Sequence, residues 1–247
     1  MNTVLVIPAR YASSRLPGKP LRELAGKPLI QHVHERAMAA GFATVLVATD
    51  DERIQRVCCA FGAQVAMTAS THETGSDRLA EVVQQQGWAD DTIVVNLQGD
   101  EPLTPVANLH QLARNLAQYP QASMATLATP IFSEAEFLNP NVVKVVRDAE
   151  GMALYFSRAP IPLQRDAGVA LYDYALRHIG MYAYRAGFLK AFAGMPPAQI
   201  EQLEKLEQLR ALAHGYRIHV DIAAEIPGAG VDTEDDALRV AAILGDG

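Results

Sequence analysis

The sequence predicts an α/β fold: a domain built on a parallel sheet, with a smaller β-rich lobe inserted in its second half. Three observations lead there. Short aliphatic runs at residues 3–7 (TVLVI), 44–49 (TVLVAT), 63–68 (AQVAMT) and 92–97 (TIVVNL) read as strands covered on both faces. Helical patterns lie between them, so strand and helix alternate four times in the first 120 residues, the signature of a right-handed parallel sheet. The second half then turns to strand-like segments without that alternation.

Each element has a local reason. The helix over residues 28–40 opens on Pro28, suited to a first turn, and stops before Gly41. Residues 52–61 stop before Gly62, and residues 76–86 before Gly87, in the same way. A fourth helix, 105–118, follows the fourth strand. Residues 123–131, 142–146, 153–156 and 179–184 read as further strands, with a polar, irregular segment over 163–176. Residues 199–213 read as one helix, with Leu203, Leu206, Leu209 and Leu212 as its buried stripe and Arg210 able to pair with Glu207. Residues 217–222 form another strand, and 240–244 belong to a short terminal helix. The whole of 1–247 is expected to be a single α/β domain, with about 130–190 as the inserted lobe.

Composition limits the function. The chain has 247 residues, 21 Lys and Arg against 28 Asp and Glu, and a net charge of −7. An acidic balance argues against broad nucleic-acid binding, which needs many phosphate contacts. Apolar residues make up 49%, the globular norm, which excludes disordered and collagen-like classes. No apolar run approaches the ~18 residues of a membrane span, and the N-terminal stretch lacks the charge and cleavage pattern of a secretory signal. The two cysteines, Cys58 and Cys59, are adjacent, which suits two helical thiols, one of them buried, in a reducing compartment rather than a disulfide or a metal site. These points together lead us to expect a cytoplasmic protein.

In sheets of this kind ligands collect beyond the carboxyl ends of the strands, and the unusual residues lie there. The first strand runs into Pro8, Ala9 and Arg10, then Tyr11-Ala12-Ser13-Ser14-Arg15-Leu16-Pro17-Gly18-Lys19. Arg10, Arg15 and Lys19 fall close together with no acid between them. The stretch is either a solvated basic loop or a cradle for a triphosphate; its place after the first strand favours phosphate. It is neither a Walker A loop nor a GxGxxG turn. The fourth strand ends at Gln98-Gly99-Asp100-Glu101, where a carboxylate beside phosphates would suit Mg2+. Asp232 follows Gly228-Ala229-Gly230. Taken alone, each aspartate also fits a turn or helix cap. Ser76 or Asp77 could cap the helix after Gly75. Arg158 suits a carboxylate ligand, and alternation places His178 and Tyr182 on one face with Gly180.

The segment I-P-A-R-Y-A-S-S-R-L-P-G-K-P-L resembles the nucleotide-binding loop of the CMP-KDO synthetases, the cytidylyltransferases that activate 3-deoxy-D-manno-octulosonate (KDO). Glu73–Glu81 (ETGSDRLAE), Asn96–Pro102 (NLQGDEP), Leu154–Ala159 (LYFSRA) and Gly230–Asp235 (GVDTED) match in the same order, so the resemblance spans nearly the whole chain. It implies a Rossmann-like nucleotidyltransferase fold, with a mixed sheet around a parallel core, in a homodimer. It implies transfer of CMP from CTP to the anomeric hydroxyl of KDO, release of pyrophosphate, and a role in lipopolysaccharide synthesis. It carries over Asp100 and Asp232 as Mg2+ ligands, and assigns them with Arg10, Arg15 and Lys19 to catalysis. Pro8, Ala9, Arg10, Arg15, Lys19, Gly75, Arg78 and Gln98 would surround the nucleotide. Gln98, Arg158, His178, Tyr182, Glu207 and Gln208 would surround the sugar. The rivals are a cytidylyltransferase for sialic acid or 8-amino-KDO and a non-catalytic nucleotide sensor. The absent glycine fingerprints disfavour sugar-1-phosphate nucleotidyltransferases and NAD enzymes.

Overall fold

The structure, a computed structural model, describes residues 2–12, 16–72, 74–165 and 174–245. Arg15 and most of the irregular segment expected before the tenth strand lie outside the described residues.

The first half alternates as the sequence predicts. β1 (Thr3–Ala9) leads through a 3-10 turn and the small hairpin β2 (Glu23–Leu24) and β3 (Lys27–Pro28) into α1 (Leu29–Ala39). Then come β4 (Val45–Thr49), α2 (Glu52–Ala60), β5 (Gln64–Met67), α3 (Gly75–Gln86), β6 (Ile93–Asn96) and α4 (Val106–Gln118). The second half adds β7 (Met124–Pro130), the short α5 (Glu134–Leu138), β8 (Lys144–Arg147), β9 (Ala153–Ser157), β10 (Leu176–Arg185) and α6 (Ala186–Phe192). It ends with α7 (Gln199–Glu204), α8 (Gln208–Ala213), β11 (Ile218–Ile222) and α9 (Glu234–Gly245).

Among the described residues, nine strands form one sheet, along the path β11-β7-β10-β6-β1-β4-β5, with β8 paired to β10 and β9 to β8. β1 pairs in parallel with β4 and β6, and β4 with β5. β10 runs antiparallel between β6 and β7, which makes the sheet mixed. β1 shows why its run of apolar residues is unbroken: Leu5 and Ile7 enter one core, with α1, α2, α4 and α9, while Val4 and Val6 enter the other, with α3, α6 and α8. Burial on both faces removes the need for a polar alternate position. Cys58 is buried and Cys59 exposed on α2, both as free thiols.

The expected helix over residues 199–213 is instead two helices. Lys205 stands in the left-handed region at φ +55° between α7 and α8. The cause is tertiary. The Arg158 guanidinium donates to the Glu204 carbonyl at 2.7 Å, while the Glu204 carboxylate accepts from the Ser157 hydroxyl at 2.5 Å and the Arg158 amide at 2.9 Å. With Glu204 held by the end of β9, the chain turns. Two expectations fall with the single helix: Leu203 is 75% exposed rather than part of a buried stripe, and Arg210 pairs with Glu201 at 2.6 Å rather than with Glu207. The turn also aims Glu207 and Gln208, at the start of α8, at the carboxyl end of the sheet.

Candidate functional site

A cleft of about 390 Å³ opens over the carboxyl ends of β1 and β6 and the start of α3. Its lining includes Pro8, Ala9, Arg10, Lys19, Gly75, Arg78, Gln98, Asp100, Glu207 and Asp232, so ten residues singled out in the sequence converge there. His72, Thr74, Pro20 and Gly99 complete it.

The basic loop has a built shape. Gly18 adopts φ +69°, closed to most side chains, and a Cβ there would stand 3.2 Å from the Tyr11 ring. The Gly18 amide donates to the Tyr11 carbonyl at 3.1 Å, and Lys19 then enters the 3-10 turn. That turn fixes the lysine backbone and sends its side chain into the cleft. The Lys19 ammonium donates to Asp100 Oδ2 at 2.6 Å and to Asp232 Oδ1 at 3.0 Å. Burial pulls its pKa down, but the two carboxylates more than restore it, leaving it above the ordinary lysine value.

Asp100 and Asp232 come from distant segments, joined by backbone contacts. The Val231 amide donates to the Asp100 carbonyl at 2.9 Å. Gly228 packs so closely on Leu103 that a Cβ would lie 2.8 Å from the leucine Cβ. Beyond Asp232, the Asp236 carboxylate accepts from the Asp232 and Thr233 amides at 3.1 and 2.9 Å, capping the approach to α9. Under the cleft, a Cβ on Gly99 would stand 2.7 Å from the Pro8 carbonyl oxygen, so only glycine lets β1 and the end of β6 meet this closely. Next to Asp100, the Glu101 carboxyl is pushed up to about 7, by burial first and by the neighbouring Asp100 charge second.

The start of α3 faces the same space. Thr74, not Ser76 or Asp77, is its cap: the Thr74 hydroxyl accepts from the Asp77 amide at 3.2 Å, and Asp77 reaches back to the Thr74 amide at 3.3 Å. The Thr-x-x-Asp spacing is a capping-box signal present in the sequence. Arg78 is 3% exposed, with one nitrogen 3.1 Å from Asp50 Oδ2 and another donating to the Thr68 hydroxyl. It both lines the cleft and ties α3 to the ends of β4 and β5. His72 is held by Glu81; a lone histidine offered no sequence signal for its place here.

The remaining residues divide. His178, Tyr182 and Gln208 line an adjoining concavity with Asn141, Val142 and Val143. Glu207 and Gln208 also border a small recess with Tyr182 and Tyr184, where Glu207 Oε1 and Gln208 Nε2 are buried with no hydrogen-bond partner among the described residues. Burial raises the Glu207 pKa. His178 and Tyr182 share a face, their ring centroids 5.5 Å apart. Between them the pairing with β7 shifts register, and the Thr126 hydroxyl fills the irregularity, donating to the Met181 carbonyl at 2.7 Å and lying 3.0 Å from His178 Nε2. Burial drives the His178 pKa down to about 3, so the ring is neutral. Arg158 is not among the residues lining either concavity; its guanidinium donates to the carbonyls of Glu204 at 2.7 Å and Pro140 at 3.0 Å. Lys144, fully buried, gives its ammonium to the carbonyls of Asn139, Val142 and Arg158 and so braces the rim of the second concavity.

The arrangement can bind a polyanion at its cationic end and hold a divalent ion between two carboxylates. Both donors are hard oxygens already converged on one cation, the Lys19 ammonium, and two carboxylates plus substrate phosphates is a common way to hold Mg2+. Among the described residues no cluster of three His, Cys, Asp or Glu side chains forms an all-protein metal cage, and no helix is long and apolar enough to cross a membrane.

Comparison with known proteins gives the family. Residues 4–219 match the family model described as cytidylyltransferase. The 3-deoxy-manno-octulosonate cytidylyltransferase of Thioalkalivibrio sulfidiphilus is 58% identical, over 99% of both chains. That of Pasteurella multocida is 53% identical, over 98% of both. A solved CMP:2-keto-3-deoxy-manno-octonic acid synthetase complexed with CTP superposes with a TM-score of 0.91 at 45% identity, covering 100% of this chain and 99% of the other. A 4-diphosphocytidyl-2C-methyl-D-erythritol synthase, 16% identical with a TM-score of 0.62, shares the fold. The chain belongs to the cytidylyltransferases and, within them, to the family that acts on 3-deoxy-manno-octulosonate.

Proposed function

We propose that this enzyme transfers CMP from CTP to the anomeric hydroxyl of KDO, releasing pyrophosphate and supplying CMP-KDO for lipopolysaccharide synthesis. The carrying observation is the meeting of Asp100, Asp232 and Lys19 at the carboxyl end of β1 and β6. In the proposed in-line displacement the sugar hydroxyl oxygen forms a bond to the α-phosphorus as the α–β bridging oxygen departs with pyrophosphate, and the hydroxyl proton is released to solvent. Arg10 and Lys19 would face the triphosphate and stabilise charge gathering on the leaving group, a role that the family resemblance extends to Arg15. Gly75 and the backbone amides at the start of α3 would favour an anionic or polar part of the nucleotide. Gln98, which lines the same cleft as Glu207, would contact both the nucleotide and the sugar. Glu207, Gln208, His178 and Tyr182 would orient the sugar hydroxyls, with neutral His178 presenting a fixed hydrogen-bonding edge rather than a charge.

Asp100 and Asp232 would hold Mg2+, which supplies Lewis-acid polarisation of the α-phosphate when bound. The two carboxylates fit that ion by donor type and by convergence. Homodimerisation belongs to the same proposal. Among the described residues β9 has β8 as its one strand neighbour, and Leu154 on it is 62% exposed. An open strand edge with an exposed leucine suits pairing with a second copy. The free thiols and the use of CTP fit the cytoplasm.

Pyrophosphate release measured with KDO, 8-amino-KDO and sialic acid against all four nucleoside triphosphates tests the assignment. CTP with KDO should give the highest kcat/KM. Faster turnover of sialic acid would overturn the sugar assignment, and no turnover with any pair would leave the nucleotide-sensor reading. Asp100→Ala should lose at least about 10²-fold in kcat with an unchanged unfolding midpoint.

A further inference from the structure

We propose that Lys19 is an exchangeable counter-cation: its ammonium neutralises the Asp100–Asp232 pair in the free enzyme and is displaced to the triphosphate when metal and nucleotide bind. The inference rests on the metal role proposed for that pair. The lysine nitrogen lies 2.6 and 3.0 Å from one oxygen of each carboxylate. Mg2+ binds oxygen at about 2.0–2.1 Å. An ion bonded to the same two oxygens would crowd and repel the ammonium, so both cannot hold the pair in this arrangement. Without nucleotide, a metal must evict Lys19 from two carboxylates at 2.6 and 3.0 Å with no triphosphate to receive its charge. With nucleotide, the triphosphate accepts the ammonium and the metal takes its place.

The parts needed for such an exchange are present. The Lys19 backbone is fixed, its amide donating to the Leu16 carbonyl at 3.1 Å and its carbonyl accepting from Arg22 at 3.1 Å. The motion is therefore confined to a flexible four-carbon side chain. Asp100 and Asp232 are held by their own backbone contacts, so the pair persists when the lysine leaves. The consequence is ordered loading: metal and nucleotide bind cooperatively, and metal alone binds poorly. Couplings of this kind commonly amount to roughly 5–150-fold in affinity.

Mn2+ titration of the free enzyme, followed by the electron paramagnetic resonance of unbound Mn2+, reads this without turnover. Lys19→Met should bind Mn2+ alone at least about tenfold more tightly than the wild type, within the usual range of couplings. Asp232→Asn in that background should abolish the gain. Lys19→Arg, which keeps the charge, should stay as weak as the wild type. Added CTP should tighten Mn2+ binding more in the wild type than in Lys19→Met. Equal Mn2+ affinity in wild type and a folded Lys19→Met would overturn the exchange while leaving the metal reading intact. Mn2+ binding in the presence of CTP that ignores both Asp100→Asn and Asp232→Asn would overturn the metal reading and the exchange with it.

Discussion

Arg78 is the residue at which binding and stability separate most clearly. Its side chain is 3% exposed, and it holds Asp50 at 3.1 Å and the Thr68 hydroxyl. Arg78→Met keeps the bulk but strands the Asp50 carboxylate and removes a donor from Thr68. Breaking a buried ion pair costs about 3–5 kcal/mol, mostly through the charge left behind. The Asp50 side chain keeps 18% exposure, so water can relieve part of that loss, and the lower end applies, about 3 kcal/mol. With a urea m-value of about 3 kcal/mol per M for a chain of this size, the midpoint of the nucleotide-free protein should fall by about 1 M. Arg78→Met with Asp50→Asn removes the stranded charge and should recover about half of the loss. The assay is urea unfolding followed by far-UV circular dichroism. A single variant that unfolds with the wild type yet binds CTP weakly would refute the structural role and leave Arg78 as a ligand contact alone.

Gly99→Ala places a Cβ 2.7 Å from the Pro8 oxygen and must spread β1 from the end of β6; overpacking of about 1–3 kcal/mol should lower Tm by at least about 2 °C in a thermal melt, with weaker CTP binding. Gly180→Ala, with nothing within 4 Å of its Cβ, should melt within about 2 °C of the wild type. His178, whose pKa burial lowers to about 3, cannot take up a proton in the folded state at moderately acid pH, whereas the unfolded chain can below about 6.5. Its contribution to stability is therefore lost as pH falls from 6.5 towards 3, at up to about 1.4 kcal/mol per pH unit. His178→Gln should show a shallower decline over that window in urea titrations at pH 6.5, 5.5 and 4.5; parallel declines would contradict the burial argument.

The first half of the fold was legible because its signals are local. Four aliphatic runs and the glycines at 41, 62 and 87, all with positive φ, mark the β1-to-α4 units without help from the rest of the chain. The break at Lys205 was not legible. Nothing in its neighbours forbids a helix; Arg158 and Ser157, far off in sequence, capture Glu204. The same capture explains Arg158, whose bidentate chemistry reads as a carboxylate ligand but whose hydrogen bonds go to backbone carbonyls. Within the cleft, Arg10, Lys19 and Asp100 declare themselves by charge and by place at strand ends. Asp232 does not, since its approach to Asp100 depends on the Val231–Asp100 backbone contact, and only the family resemblance paired the two. Lys144 gives no local signal either: a lysine in a β-strand reads as exposed, and its burial depends on three carbonyls that the fold gathers around it.

Crystals grown with CTP and Mn2+, examined by anomalous scattering at the manganese edge, put the convergence of loop and aspartates to the sharpest trial. The account predicts manganese density bonded to carboxylate oxygens of both Asp100 and Asp232 and to triphosphate oxygens, with the Lys19 nitrogen moved from the aspartates to a phosphate. Manganese bound away from either aspartate, with the Lys19–Asp100–Asp232 contacts intact beneath the nucleotide, would contradict it.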